Sequence, residues 1–464
     1  MKSIITVCLA CFYICIGYSS RAQLFETPVF YNVGEWPEYI FSAELNGDDF
    51  NDLVVVNRAD SCISVLFNNG DGTFQDTVNF YTGVNPIPVF AIDLDGDDDN
   101  DIAVANYPRD NVSILLNDGF GDFYLADILT VPHLPKSLFS ADFDNDGDND
   151  LVTANVGPGN VSILINNGDA TFQEPVNYDV RRVPTSVHSA DLDGDSDYDL
   201  AVANNDDDNV SILLNNGDGT FQLAVNYDTS EEPLKVFLAD LDGDTYYDMV
   251  VSSYESSNVS IFINNRDGTF QTPEYYNADS GPDPIYVVDL DNDYDNDLVV
   301  GNRNSQNVSI LLNNGDGTFQ GAVNYELLEI PNSIFMADLD NDNDLDLAVS
   351  YFADANSIAV LINRTNQTGI NQLFSLPRKT AISQNYPNPF NANTLFKYEL
   401  HQHSQVAIEV YDLLGRMVTT LHDGLKPAGK HHIFWYADDL PSGIYFYKLQ
   451  ADDYIETRKM TLLK

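Results

Sequence analysis

The sequence predicts an all-β chain, a seven-bladed β-propeller of 49-residue repeats followed by a small Ig-like β-sandwich. Three observations carry that expectation. An acidic cluster begins at Glu44, Asp93, Asp142, Asp191, Asp240, Asp289 and Asp338, each start 49 residues after the last. Every unit holds short β-branched apolar runs separated by Asn, Asp and Gly, and no window keeps helix periodicity over three turns. After Asn363 the repeat stops and a segment of different charge begins.

The repeat decides the architecture, because units of one length must bury their faces against each other. Pro37, Pro86, Pro135, Pro184, Pro233, Pro282 and Pro331 keep the same step, as do Phe25, Phe74, Phe123, Phe172, Phe221, Phe270 and Phe319. In the fourth copy LAVAN and NVSILL read as strands, NNGDGT as a turn and FQ-x-x-VNY as another strand. With the strand entering ADLDGD, each unit has about four strands, as a propeller blade does. Phe25-Glu26-Thr27-Pro28 stands at the repeat position of Phe74-Gln75, while the last repeat ends at Leu361–Thr365 without an FQ strand. The N-terminal strand is therefore expected to complete the seventh blade and cover its edge.

Residues 1–22 read as an export signal, with Lys2 as the basic start, an apolar run from Ile4 to Ile16, and Ser20-Arg21-Ala22 as the cleavage site. A membrane anchor would need about 20 apolar residues. Cleavage after Ala22 would remove Cys8, Cys11 and Cys15 and leave Cys62 alone, so the mature chain would have no internal disulfide. The formal net charge is −51, and it is uneven. Residues 23–373 hold 9 Lys/Arg against 63 Asp/Glu, whereas residues 374–464 hold 10 against 9. Such self-repulsion calls for cations close by, and it excludes nucleic acid as a partner.

The acidic loops supply the cation sites. Positions 1, 3, 5 and 9 are Asp191, Asp193, Asp195 and Asp199 in the fourth copy. They are Asp93, Asp95, Asp97 and Asp101 in the second, and Asp142, Asp144, Asp146 and Asp150 in the third. The fifth has Asp240, Asp242, Asp244 and Asp248, the sixth Asp289, Asp291, Asp293 and Asp297, and the seventh Asp338, Asp340, Asp342 and Asp346. Four carboxylates in nine residues repel unless a cation sits among them, and a flexible all-oxygen loop suits calcium better than magnesium. The first copy, with Glu44, Asn46, Asp48 and Asp52, is expected to bind most weakly of up to seven sites. Position 4 is always Gly or Asn, as a left-handed residue requires. Position 7 accepts Phe50 and Tyr246, so it would ligate through its carbonyl. No Glu stands at position 12, which separates the loop from an EF-hand.

DLDGDxxxDLAVAN followed by NVSILLNNGDGTFQ resembles the FG-GAP or VCBS repeat family, whose blades build integrin-type propellers, over about residues 25–367. The resemblance implies calcium in each acidic loop and no particular activity. With it, the propeller is placed at 23–367 and a polar linker at 368–383. Residues 384–464 carry NYPNPFN, DLLGR at 412–416, LPSGIY at 440–445 and a basic end. They resemble the type A sorting domain of the type IX secretion system of Bacteroidota. That resemblance implies the secretion machinery as partner and a mature protein that is released or held on the outer surface.

Where repeats vary they can recognise. One variable stretch precedes the Asn of NVSILL and includes Arg58, Tyr107-Pro108-Arg109 and Arg303; the other flanks the repeat proline and includes Lys235. Trp36, Tyr39, Lys136, Arg181 and Arg182 are candidates to face an acidic or aromatic-stacking ligand such as a glycan or surface protein. The expected role is a monomeric binding or adhesion module without a catalytic site. A calcium-dependent polysaccharide-degrading enzyme and a structural surface coat stay open beside it. His133 and His188 are the only histidines of the repeats and lie in no nucleophile motif or zinc spacing.

Overall fold

The computed structural model describes residues 24–352, 356–364, 380–385, 388–391, 393–400, 404–426, 429–437, 440–451 and 454–464. The export signal, the last three residues expected in the propeller (365–367) and residues 368–379 of the linker lie outside this set. Seven four-stranded antiparallel sheets follow one another as blades. Blade 1 is built from Pro37–Ala43, Asp52–Asn57, Cys62–Leu66 and Val78–Tyr81, in that order from the axis outwards. Blades 2 to 6 repeat it at the 49-residue step. In the middle strand of every blade all six residues are buried, because both faces pack against neighbouring sheets.

The ring closes as its ends predict. Val29–Asn32 pairs antiparallel with Ser357–Leu361, Val29 opposite Val360 and Asn32 opposite Ser357. It becomes the outer strand of blade 7, whose other strands are Pro331–Ala337 and Asp346–Tyr351. Leu24 and Phe25 enter the core shared with blades 6 and 7, at 0% and 2% exposure.

Alternation along the inner strands turns one side chain per blade towards the axis four residues after the proline. These are Phe41, Phe90, Phe139, His188, Phe237, Tyr286 and Phe335. Each ring lies 4.5–5.6 Å from the next, and Phe335 meets Phe41 at 4.9 Å, so an aromatic belt closes the channel. The inner strand runs from its proline to the acidic loop. Antiparallel pairing then puts the acidic loops and NNGDGT turns on one face of the disc, and both variable stretches on the opposite, proline-bearing face.

The C-terminal region is a two-sheet sandwich. Ala381–Ile382, Asn393–Leu400 and Gly429–Tyr436 form one sheet, and Met417–Lys426, Ser404–Asp412, Gly443–Ala451 and Tyr454–Leu462 the other. Phe396, Tyr398, Ile408, Trp435, Tyr447 and Met460 fill the space between them. The opening motif ties both ends together: Asn385 N–H donates to Tyr447 Oη at 2.9 Å, and Phe390 N–H to Thr461 O at 3.0 Å.

Candidate metal centres and the latch between blades

The ninth-position Asp opens the middle strand of each blade and is fully buried in all seven. In blade 4, Asp199 Oδ2 accepts Leu192 N–H at 2.9 Å and Oδ1 accepts Asn215 N–H at 2.7 Å. The same two bonds recur in every blade, fastening the loop to the following turn. The first-position carboxylate gathers the rest of the loop. In blades 2 to 7 it accepts the sixth-position N–H at 2.8–3.0 Å.

Position 4 is left-handed in all seven loops, as its Gly or Asn demands. Position 6 is left-handed as well, at Asp49, Asp98, Gly147, Ser196, Thr245, Tyr294 and Asn343. For Thr245 and Tyr294 this conformation is strained, and the carboxylate of position 1 holds it.

Carboxylate oxygens of positions 1, 3 and 9 lie within 4.8 Å of one another in blades 2, 4, 5 and 6, as do those of Asp142, Asp144 and Asp146 in blade 3. Asp95, Asp142, Asp144 and Asp340 each bury an oxygen with no hydrogen-bond partner. Burial, and after it the neighbouring fifth-position charge, pushes the carboxyls of Asp95, Asp144 and Asp193 above their usual range, and those of Asp242 and Asp340 up to about 6. Crowded, partly orphaned carboxylates with only oxygen donors fit a hard divalent cation such as calcium. The seventh-position side chain leaves the loop: Phe50 lies against Gly70, Asp99 against Gly119 and Asp197 against Gly217. That is why aromatics are accepted there.

The loop also receives the neighbouring blade. Asn215 Nδ2 donates to Phe143 O, at position 2 of the preceding loop, at 2.8 Å, and Gly219 N–H reaches the same carbonyl at 2.9 Å. Asn68, Asn117, Asn166, Asn264 and Asn313 make the corresponding bond at 2.8–2.9 Å, with Asn68 reaching back to blade 7. A cation that orders one acidic loop therefore orders the acceptor on which the next blade hangs.

Six overlapping matches to the FG-GAP-like repeat cover residues 45–104, 93–153, 142–202, 191–251, 240–300 and 289–349, more than half of the chain. The chain belongs to the FG-GAP-like repeat family. Residues 384–462 match the secretion system C-terminal sorting domain. This FG-GAP-like protein thus bears a type IX sorting domain, which directs export to the medium or attachment to the cell surface and implies contact with that machinery. No curated protein matches it. Among solved structures, BBS1N, crystallised in complex with ARL6DN and soaked with lead, aligns with a TM-score of 0.56 at 12% identity, over 75% of this chain and 99% of that one. A putative 6-phosphogluconolactonase from Bacteroides uniformis aligns at 0.48 and 15%, over 70% and 90%. PorZ, a surface component of the type IX system of Porphyromonas gingivalis, aligns at 0.46 and 13%, over 91% and 59%. The first likeness is one of fold.

Blade 5 of the FG-GAP-like propeller departs from its siblings. Arg266 stands where other turns have glycine, keeps a φ of 70°, crosses Tyr246 at 5.9 Å and pairs with Asp244 Oδ2 at 2.7 Å. Its guanidinium opposes a second cation at the fifth-position carboxylate. Arg266→Gly is expected to raise the calcium affinity of that loop roughly tenfold, as removal of one like charge a few ångströms away should. Calorimetric titration checks this; an unchanged set of affinities would remove the competition.

Of the residues expected to face a ligand, Tyr39 lines the axial channel, and Lys136, next to its repeat proline on the proline-bearing face, lies 5.9 Å over the Tyr107 ring. Trp36 is 51% exposed on the same face. Arg182 is drawn to the rim by Asp207, at 2.6 Å, and Arg181 is exposed beside it. Lys235, noticed in the sequence only as part of a variable stretch, reaches across the axis from blade 5 to lie 5.4 Å over the Tyr39 ring. The aromatic belt had a sequence signal too, a 49-residue step four places after the prolines, but His188 interrupts its chemistry.

Proposed function

We propose that this is an exported, calcium-braced binding module for glycans or surface proteins, non-catalytic and monomeric, whose recognition face is the proline-bearing one. The observation that carries the reading is the separation of constant from variable. All acidic loops and latches lie on one face, and both variable stretches lie on the other. Seven of the nine Lys and Arg residues of 23–373 lie in or beside those stretches: Arg58, Arg109, Lys136, Arg181, Arg182, Lys235 and Arg303. The acidic loops then serve as scaffold, and their carboxylates are spent on the cation and the backbone rather than on proton transfer.

Affinity electrophoresis of the calcium-loaded protein through gels containing neutral or acidic polysaccharides, stained afterwards for depolymerised zones, tests the reading. Retardation without clearing is expected in at least one gel. Clearing would replace the binding module with an enzyme. Absence of retardation, together with calcium-dependent self-association in sedimentation, would favour a surface coat.

A further inference from the structure

The axial channel holds a cavity of about 280 Å³ that no acidic loop touches. Its floor is the aromatic belt, and its polar lining is Tyr39, Ser137, Ser186, Lys235 and Ser333 together with His188 in the belt. The lining is rich in donors. Ser137, Ser186 and Ser333 each accept a backbone N–H of another blade, from Val187 at 3.1 Å, Val236 at 3.4 Å and Ile40 at 3.4 Å, which leaves every O–H free to donate. His188 buries Nδ1 without a partner.

Charge at the mouth has the same sense, in a repeat region of formal charge −54. Arg58 pairs with Glu38 at 3.6 Å and Arg303 with Asp283 at 2.8 Å, but among the described residues neither Lys136 nor Lys235 is in an ion pair. Both ammonium groups instead lie over aromatic faces, Lys136 at 5.9 Å from Tyr107 and Lys235 at 5.4 Å from Tyr39. The carboxylates whose charge reaches both lysines, Glu38 and Asp283, are each paired with an arginine. Two half-buried ammonium groups outside any described ion pair, Lys235 in the lining and Lys136 near it, stand with O–H donors and an aromatic floor as a site for an anion with an apolar face. The volume lies at the small end of ligand cavities, about right for one sugar ring. An acidic peptide side chain would bring its carboxylate but leave the belt uncovered, whereas a pyranose presents C–H faces, hydroxyls and an acidic group together.

We infer that this cavity takes the acidic residue of an anionic glycan, its carboxylate or sulfate between Lys235 and Lys136 and its ring against the belt. The inference rests on the binding-module reading and deepens it. Calorimetry of the full chain in calcium tests it with four probes: trigalacturonate as carboxylate source, a sulfated chondroitin disaccharide as sulfate source, maltotriose as neutral sugar and pentaglutamate as acidic peptide. At least one acidic sugar is expected to bind, maltotriose not. Lys235→Gln and Lys136→Gln should each weaken acidic binding roughly tenfold and flatten its salt dependence. Arg364→Gln, on the acidic-loop face where its guanidinium pairs with Glu26 at 2.9 Å, should leave it unchanged, and unaltered melting of the variants would exclude misfolding. Acidic-sugar binding that survives Lys235→Gln would overturn the axial site while leaving a binding module. Equal binding of maltotriose would overturn the charge argument, and tighter binding of pentaglutamate the sugar. If no probe binds, the axial inference fails, and retardation in the neutral gels decides separately whether the module reading survives.

Discussion

Chelating calcium is expected to lower the melting temperature of the propeller by more than about 15 °C. A site held at a hundredfold excess of ligand over Kd contributes about 2.7 kcal/mol to the folded state, so six such sites contribute about 16 kcal/mol. A propeller of this size loses about 0.7 kcal/mol of stability per degree near its midpoint, which sets a shift of about 20 °C if the sites act independently. The latch explains why so much of the fold responds, since the Asn of each of blades 1 to 6 bonds to the loop its neighbour must order.

The pH dependence separates this cause from unspecific salt effects. Without a cation, burial pushes Asp52, Asp150, Asp199, Asp248 and Asp346 up to about 7 and Asp101 to about 6, against the pull of their backbone N–H bonds. An unfolded Asp titrates near about 3.9, so the folded chain holds more protons between these limits and the calcium-free protein gains stability as pH falls from about 7 towards 4. With saturating calcium the carboxylates are held ionised, protons compete with the metal, and stability should fall over the same range. Melting curves at pH 5 and 8, with calcium and with chelator, check both slopes. Parallel slopes, or a melt indifferent to chelator, would take the bracing role away from the loops.

Much of this arrangement was legible in the sequence because it depends on local residue chemistry repeated in phase. Gly or Asn at position 4 announced a left-handed residue, and the missing FQ strand after Thr365 announced that Phe25 and its neighbours would supply it. The left-handed sixth position stayed hidden, since Ser196, Thr245 and Tyr294 advertise nothing of the kind; the first-position carboxylate imposes it. The latch was equally silent. Asn215 reads as a turn residue, and its partner Phe143 lies 72 residues away in another blade. Lys235 could be seen as a rare cation, but only the ring brings it over Tyr39, a residue almost two hundred positions earlier.

Deleting residues 24–32 after the export signal is expected to open the ring, and this is the second large effect. The segment buries Leu24 and Phe25 and sets Tyr31 edge-on against Phe74 at 5.2 Å, so it joins blade 7 to both neighbours. Loss of two fully buried side chains costs about 5 kcal/mol in transfer alone, and the cavities left behind add to it. The deletion also bares the edge of Ser357–Leu361, an apolar strand with unpaired N–H and C=O groups that invites another chain. A melting temperature lower by about 10 °C should therefore come with calcium-insensitive aggregation in light scattering. A peptide spanning residues 24–36, added in trans, should restore solubility by pairing with that edge, whereas a scrambled peptide should not. A deletion variant that stays monodisperse with its melting point intact would show that blade 7 is held by its neighbours alone. The same peptide experiment distinguishes the causes, because lost burial without edge exposure would destabilise the ring but leave nothing for a strand to rescue.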